Sequence, residues 1–204
     1  CATMEQDSLN RLRFPQRPTL DEFEEKIENR VAELEREVRN GRTKDVVITI
    51  PIVVHVVHNG ENVGTGTNIS QAQIQAQIEV LNEDFRKKAG TPGENSNPVG
   101  ADIEIEFCLS TVDEAGNTLP EPGIHRYNGK QADWSRDEIE NSLKPNTSWN
   151  PNVFYNIWTV KFDAGSSNLI GYAQFPDDSG LSGLQEKGGP ASTDGVVVRF
   201  DQVV

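Results

Sequence analysis

The sequence predicts an α+β fold: a twisted, mixed β-sheet of about five strands with one long and one short helix, preceded by a helical N-terminal segment. Three observations predict it. The runs VVITIPIVVHVVH (46–58) and VFYNIWTVKF (153–162) are almost continuously apolar and rich in β-branched or aromatic residues, as in strands covered on both faces. The run LIGYAQF (169–175) is shorter, carries Gly171 and Gln174, and stops at Pro176, which suits an edge strand. Two stretches open with capping boxes, Thr19 with Glu22 and Ser70 with Gln73.

Taken in order, residues 1–18 lack a hydrophobic period and read as an extended, tethered segment. From Thr19 a helix runs to the stop at Asn40-Gly41, with Leu20, Phe23, Ile27, Val31, Leu34 and Val38 on one stripe that faces a partner. The basic connector 39–44 is the clearest domain boundary, dividing residues 1–44 from 45–204. Its Arg39, Arg42 and Lys44 are candidate processing points for a trypsin-like or self-cleaving protease.

The strand at 46–58 contains an H-x-x-H spacing. On a strand an odd offset puts His55 and His58 on opposite faces, so a shared metal site is not expected there. His55 reads as a hydrogen-bonded structural histidine and His58 as a surface one, and His125 has no His partner at ligand spacing. After a Gly-rich loop, the helix capped by Ser70 buries Ile74, Ile78, Leu81 and Phe85, with Ile69 stapled to Ile74. IEIEFCLSTV (103–112) alternates as a strand with one wet face, and Cys108 within it reads as a small buried thiol. Ser135 with Glu138 caps a short helix, Trp134 staples to Ile139, and Pro145 forbids continuation. After the strands at 153–162 and 169–175 comes a Gly/Ser/Pro loop, then a last strand at 195–204.

Charge and composition narrow the function. A formal net charge of -13 argues against nucleic acid or an anionic membrane as partner, since phosphates would be repelled. No apolar run approaches the roughly 20 residues a membrane helix needs. Cys1 is not a translation start, so a leader is expected upstream, with lipidation of Cys1 a minor alternative. Zinc hydrolysis needs three protein ligands, an open position holding water and a carboxylate base. The chain contains no H-E-x-x-H, and no G-x-S-x-G elbow, P-loop or C-x-x-C pair, so alone it is expected to be inactive.

Four segments together point further: IPIVVHVVHN…ISQAQIQAQIEVLNEDFRK, GIHRYN, FYNIWTVKF…LIGYAQFP and GPASTDGVVVRFDQV. They resemble the upper, N-terminal subdomain of pappalysin-type zinc metallopeptidases of the metzincin clan. The resemblance covers nearly the whole chain. The family's zinc motif, H-E-x-x-H-x-x-G-x-x-H with a later Met-turn, would follow the strand ending at Val204.

What the resemblance implies is specific. The chain would be the N-terminal part of a secreted zinc metalloendopeptidase zymogen, monomeric, acting on protein or peptide substrates and completed by a C-terminal subdomain. Substrate would lie as an added antiparallel strand beside Leu169, Ile170, Gly171, Tyr172, Ala173, Gln174 and Phe175, held by main-chain groups. CATME resembles the C-G-T start of pappalysin prosegments, with Ala2 in place of glycine, so Cys1 would be the latent-state zinc ligand. The loops at 163–168 and 175–183 carry carboxylates and carbonyls suited to calcium, without EF-hand spacing. The alternative is a non-catalytic module that captures peptide or protein on its exposed sheet edge.

Overall fold

Strand β1 (Ile48–His58) is the axis of the sheet in the computed structural model, which describes residues 2–13, 15, 19–39, 47–174 and 190–203. Eleven residues long, it has room for two partners on one edge. β2 (Ile105–Leu109) runs parallel along its first half and β3 (Ile124–Asn128) along its second. β4 (Tyr155–Val160) takes the other edge, again parallel, and β6 (Val196–Arg199) follows parallel to β4. β5 (Gly171–Ala173) closes the sheet antiparallel to β6. The order β2-β1-β4-β6-β5, with β3 beside β1, is the expected mixed, open sheet with one strand more.

The additional strand is GIHRYN. Its polar His125, Arg126 and Asn128 hide the period, and it exists because β1 outruns β2. The step from β2 to β3 is pinned where Ser110 N–H donates to Ile52 O (3.0 Å) and Val54 N–H donates to Gly123 O (2.7 Å).

Alternation along β1 and β4 builds a core on each face. Ile52, Val54, Val56 and Ile124 pack with Ile74 and Ile78 of α3 (Gln71–Phe85) and with Ile69 just before it. Val57, Trp158, Val160 and Val197 pack on the other side with Trp134, Ile139 and Leu143. The Ser70 box closes as expected: Gln73 N–H donates to Ser70 Oγ (3.3 Å), and Ser70 N–H to Gln73 Oε1 (3.1 Å).

Several expectations are corrected. Residues 1–18 are not simply extended, because α1 (Thr3–Arg13) forms within them. Its buried positions are Gln6, Asp7 and Asn10, so a search for apolar period passes over it. α2 (Leu20–Arg39) begins, as expected, at the Thr19–Glu22 box, and Ile27 and Val31 of its stripe are exposed, open to a partner. Cys108 is exposed as well, since its position in the pleat points away from α3. The last strand is shorter than 195–204, giving way to a 3₁₀ turn at Phe200–Gln202.

Pro145 does not end its helix. α4 (Arg136–Glu138) passes through a π-helical turn (Ile139–Leu143) into α5 (Lys144–Thr147). The wide turn shifts the register so that Pro145 falls in the first turn of α5, where a missing N–H costs nothing.

The outer edge of β2 is sealed by α3. The Asn82 carboxamide accepts from Phe107 N–H (2.7 Å) and donates to Phe107 O (2.9 Å). Asn82→Leu strands both groups and is expected to cost about 1–3 kcal/mol, read by urea unfolding, with added self-association on size-exclusion chromatography.

Candidate functional site

β5 is the other end of the sheet. Its pairing with β6 uses Tyr172, flanked by the bonds Arg199 N–H to Ile170 O (2.9 Å) and Gln174 N–H to Gly195 O (3.3 Å). Gly171 and Ala173 therefore turn their main-chain groups outward. Gly171 is required by space: a Cβ there would sit 2.6 Å from the Val197 carbonyl oxygen.

The N-terminal residues meet that outward row. Ala2 N–H donates to Gly171 O (3.2 Å), and Ala173 N–H donates to Thr3 Oγ1 (3.3 Å). Ala2 is buried in the same core cluster as Tyr172. α1 is further tied to α4 by Glu5–Arg136 (3.0 Å) and Arg13–Asp137 (2.5 Å). Both sheet ends are thus closed by different means. Asn82 belongs to a core helix, whereas the cover on β5 comes from the chain's first residues.

Of the seven residues expected on the rim, Gly171, Tyr172 and Ala173 form β5 itself. Leu169 is half-buried against the core, Ile170 is exposed and Gln174 buried. Phe175, Cys1, Arg42, Lys44 and the side chain of Arg39 lie outside the described residues.

Beneath β5 is a buried polar network that sequence reasoning missed. Lys144 is 0% exposed; its Nζ pairs with Glu140 Oε1 (2.6 Å) and donates to Thr193 O (3.1 Å). Tyr172 OH donates to the same Glu140 oxygen (2.9 Å), and the ammonium lies 5.3 Å from the Trp158 ring centre and 5.1 Å from that of Tyr172. Thr193 Oγ1 donates to Gln174 Oε1 (2.6 Å). Burial pushes the Lys144 pKa down against the pull of Glu140 and Asp194. Burial and the Glu140 charge hold the Tyr172 phenol protonated far above its usual range. The only sequence signal was the i, i+4 spacing of Glu140 and Lys144, which ordinarily marks a solvated face.

The histidines do not form a metal centre. Asn156 accepts from Trp149 N–H (2.9 Å) and donates through Nδ2 to Trp149 O (2.9 Å) and Phe154 O (3.3 Å), which fixes its orientation. His55 Nε2 must then carry its proton and donate to Asn156 Oδ1 (2.9 Å). Its bare Nδ1 accepts from His125 Nδ1–H (2.9 Å). So His125 does have a histidine partner, set by strand register rather than spacing. His58 is half-buried and accepts from Gly60 N–H (3.0 Å). Among the described residues no three His, Cys, Asp or Glu side chains gather to hold a metal, so these residues do not fit a zinc site. Asp163 Oδ1 in the 163–168 loop accepts from Ser166 N–H (3.0 Å), and the 175–183 loop lies outside the described residues.

Beside α3, the sheet face holds an apolar hollow of about 280 Å³ lined by Ile74, Ile78, Leu81, Ile157, Val196 and Val198. Thr159 also lines it, its buried hydroxyl without a hydrogen-bond partner among the described residues. Among the described residues no helix is long and apolar enough to cross a membrane.

Solved structures of mirolysin and promirolysin resemble the chain. Mirolysin in complex with compound 9 is 34% identical, covering 78% of this chain and 54% of that one, with a TM-score of 0.56. Mature mirolysin of Tannerella forsythia in complex with a cleaved peptide is 35% identical, covering 77% and 54%, with a TM-score of 0.56. A mutant of promirolysin from the same organism is 32% identical, covering 86% and 54%, with a TM-score of 0.54. The chain therefore spans about half the length of the proteins it matches (54%). No family model and no curated protein matches.

Proposed function

The chain belongs to the pappalysin family of metzincin metallopeptidases, and on that premise we propose that it is the N-terminal part of a secreted zinc metalloendopeptidase zymogen. Residues 45–204 form the upper, substrate-holding wall of the cleft, and residues 1–44 are the prosegment that covers it. The observation that carries this reading is the pairing of Ala2 and Thr3 with the outward row of Gly171 and Ala173. A β-edge that satisfies a guest's backbone needs no polar side chain, and an extended peptide takes the same groups once the cover leaves. The larger share of the chain matched by promirolysin (86%) than by mature mirolysin (77%) supports assigning residues 1–44 to the latent form.

The finer assignments follow from the same reading. Cys1, next to the pinned Ala2, is the latent-state zinc ligand, and cleavage near Arg39, Arg42 or Lys44 frees the prosegment. Zinc ligands and base belong to the polypeptide of the second half, which also packs over the apolar hollow beside α3. Thr159, buried there without a hydrogen-bond partner among the described residues, offers that polypeptide a hydroxyl to bond.

Reading the gene past the codon of Val204 tests the proposal. An H-E-x-x-H motif is the expected result, and the protein so extended hydrolyses a protein substrate until a zinc chelator is added. A stop codon directly after Val204 would leave the non-catalytic binding module instead.

A further inference from the structure

Arg136 stands on the rim of the β5 edge. Its side chain is only 15% exposed, and its guanidinium lies 5.8 Å from the centre of the Tyr172 ring, over the middle strand residue. Its carboxylate partner among the described residues is Glu5 (3.0 Å), which is itself 66% exposed and rides on the segment covering the edge. The acids near Arg136 on its own helix are otherwise engaged. Glu140 holds Lys144 and Tyr172, Glu138 is taken by the Ser135 cap, and Asp137 pairs with Arg13; when Arg13 departs with the segment, Asp137, already 80% exposed, is left in water.

Departure of the N-terminal segment therefore removes the carboxylate and leaves the cation. Packed on Tyr172, the guanidinium keeps its place, because the ring that holds it is fixed by the buried network below. A held guanidinium beside a peptide-pairing edge favours a carboxylate, through charge-assisted and often bidentate hydrogen bonds, and repels Lys or Arg.

We propose that Arg136, backed by Tyr172, is a carboxylate subsite of the peptide groove, which favours substrates carrying Asp or Glu at the residue lying beside Tyr172 on the α4 side. Glu5 fills this subsite in the covered state and imitates that substrate residue. The inference rests on the peptidase reading above and names the substrate class for it.

The test uses the full-length protein after release of its N-terminal segment. Peptides identical except for Glu or Gln, moved through each position flanking the cleaved bond, are compared by kcat/KM. At one position Glu is expected to exceed Gln by about five- to tenfold. In Arg136→Gln that ratio falls to near one, and in Arg136→Lys, which keeps the charge but not the fork, it is intermediate. Thermal melts confirm that each variant is folded. Peptides cleaved with no Glu preference at any position, or a preference that survives Arg136→Gln, overturn the subsite alone. No cleavage of any peptide overturns the peptidase reading and the subsite with it.

Discussion

Lys144→Met is expected to destabilise the protein by about 3–5 kcal/mol, the largest loss foreseen from any single change here. The ammonium is fully buried and makes three kinds of contact: the Glu140 carboxylate (2.6 Å), the Thr193 carbonyl (3.1 Å) and two aromatic faces. Methionine replaces the stem and the ring contacts but leaves Glu140, 6% exposed, as an uncompensated buried charge. Adding Glu140→Gln removes that charge, so the double variant is expected to recover much of the loss. Urea midpoints of the two single variants and the double variant measure this directly. A Lys144→Met loss below about 1 kcal/mol would show that the pair is not closed to water. The consequence reaches the site, since Tyr172 in β5 bonds the same Glu140 oxygen and Thr193 holds Gln174 one residue past the strand.

Mild acid is expected to weaken the fold through His55. Burial pushes its pKa down to about 3, with the bond to Asn156 pulling upward and the His125 charge adding to the depression. His125 is lowered too, by burial, against the pull of Glu114. An unfolded histidine binds a proton near pH 6.5 whereas the folded His55 stays neutral to about pH 3. The unfolded state thus holds more protons within that window, so this contribution is full above pH 6.5 and shrinks as pH falls towards 3. For His55 alone the slope is about 1.4 kcal/mol per pH unit, hence about 2 kcal/mol between pH 6.5 and pH 5. Carboxylates with lowered pKa values begin to act as pH falls through their unfolded range of about 4 to 4.5, so they add little above about pH 5. His55→Gln lowers stability at every pH but should flatten the dependence between pH 6.5 and 5. Equal slopes in the two proteins would refute the assignment.

Much of the frame is legible in the residues themselves. The Ser70–Gln73 and Thr19–Glu22 boxes and the β-branched axis at β1 follow from local chemistry that any context would honour. The edge position of β5 is carried by a short strand with glycine inside it and proline after it. α1 was invisible because its buried face is Gln6, Asp7 and Asn10, polar residues that pay off only against a particular surface. β3 was missed because its polar residues mask the period and its hydrogen bonds are supplied by the free half of β1. The helix continues through Pro145 because of a π turn that has no one-residue signature.

The sequence by itself determined the kind of sheet, the starts of α2, α3 and α4, the family likeness and the strand offered at the edge, since each is written in short runs of neighbouring residues. Only the tertiary structure decided that Ala2 and Thr3 lie on that edge, that Glu140 and Lys144 are buried beneath it, and that His55 meets His125. Those pairings join residues up to 170 positions apart, and their energies come from exclusion of water and from strand register, neither of which exists until the chain has closed on itself.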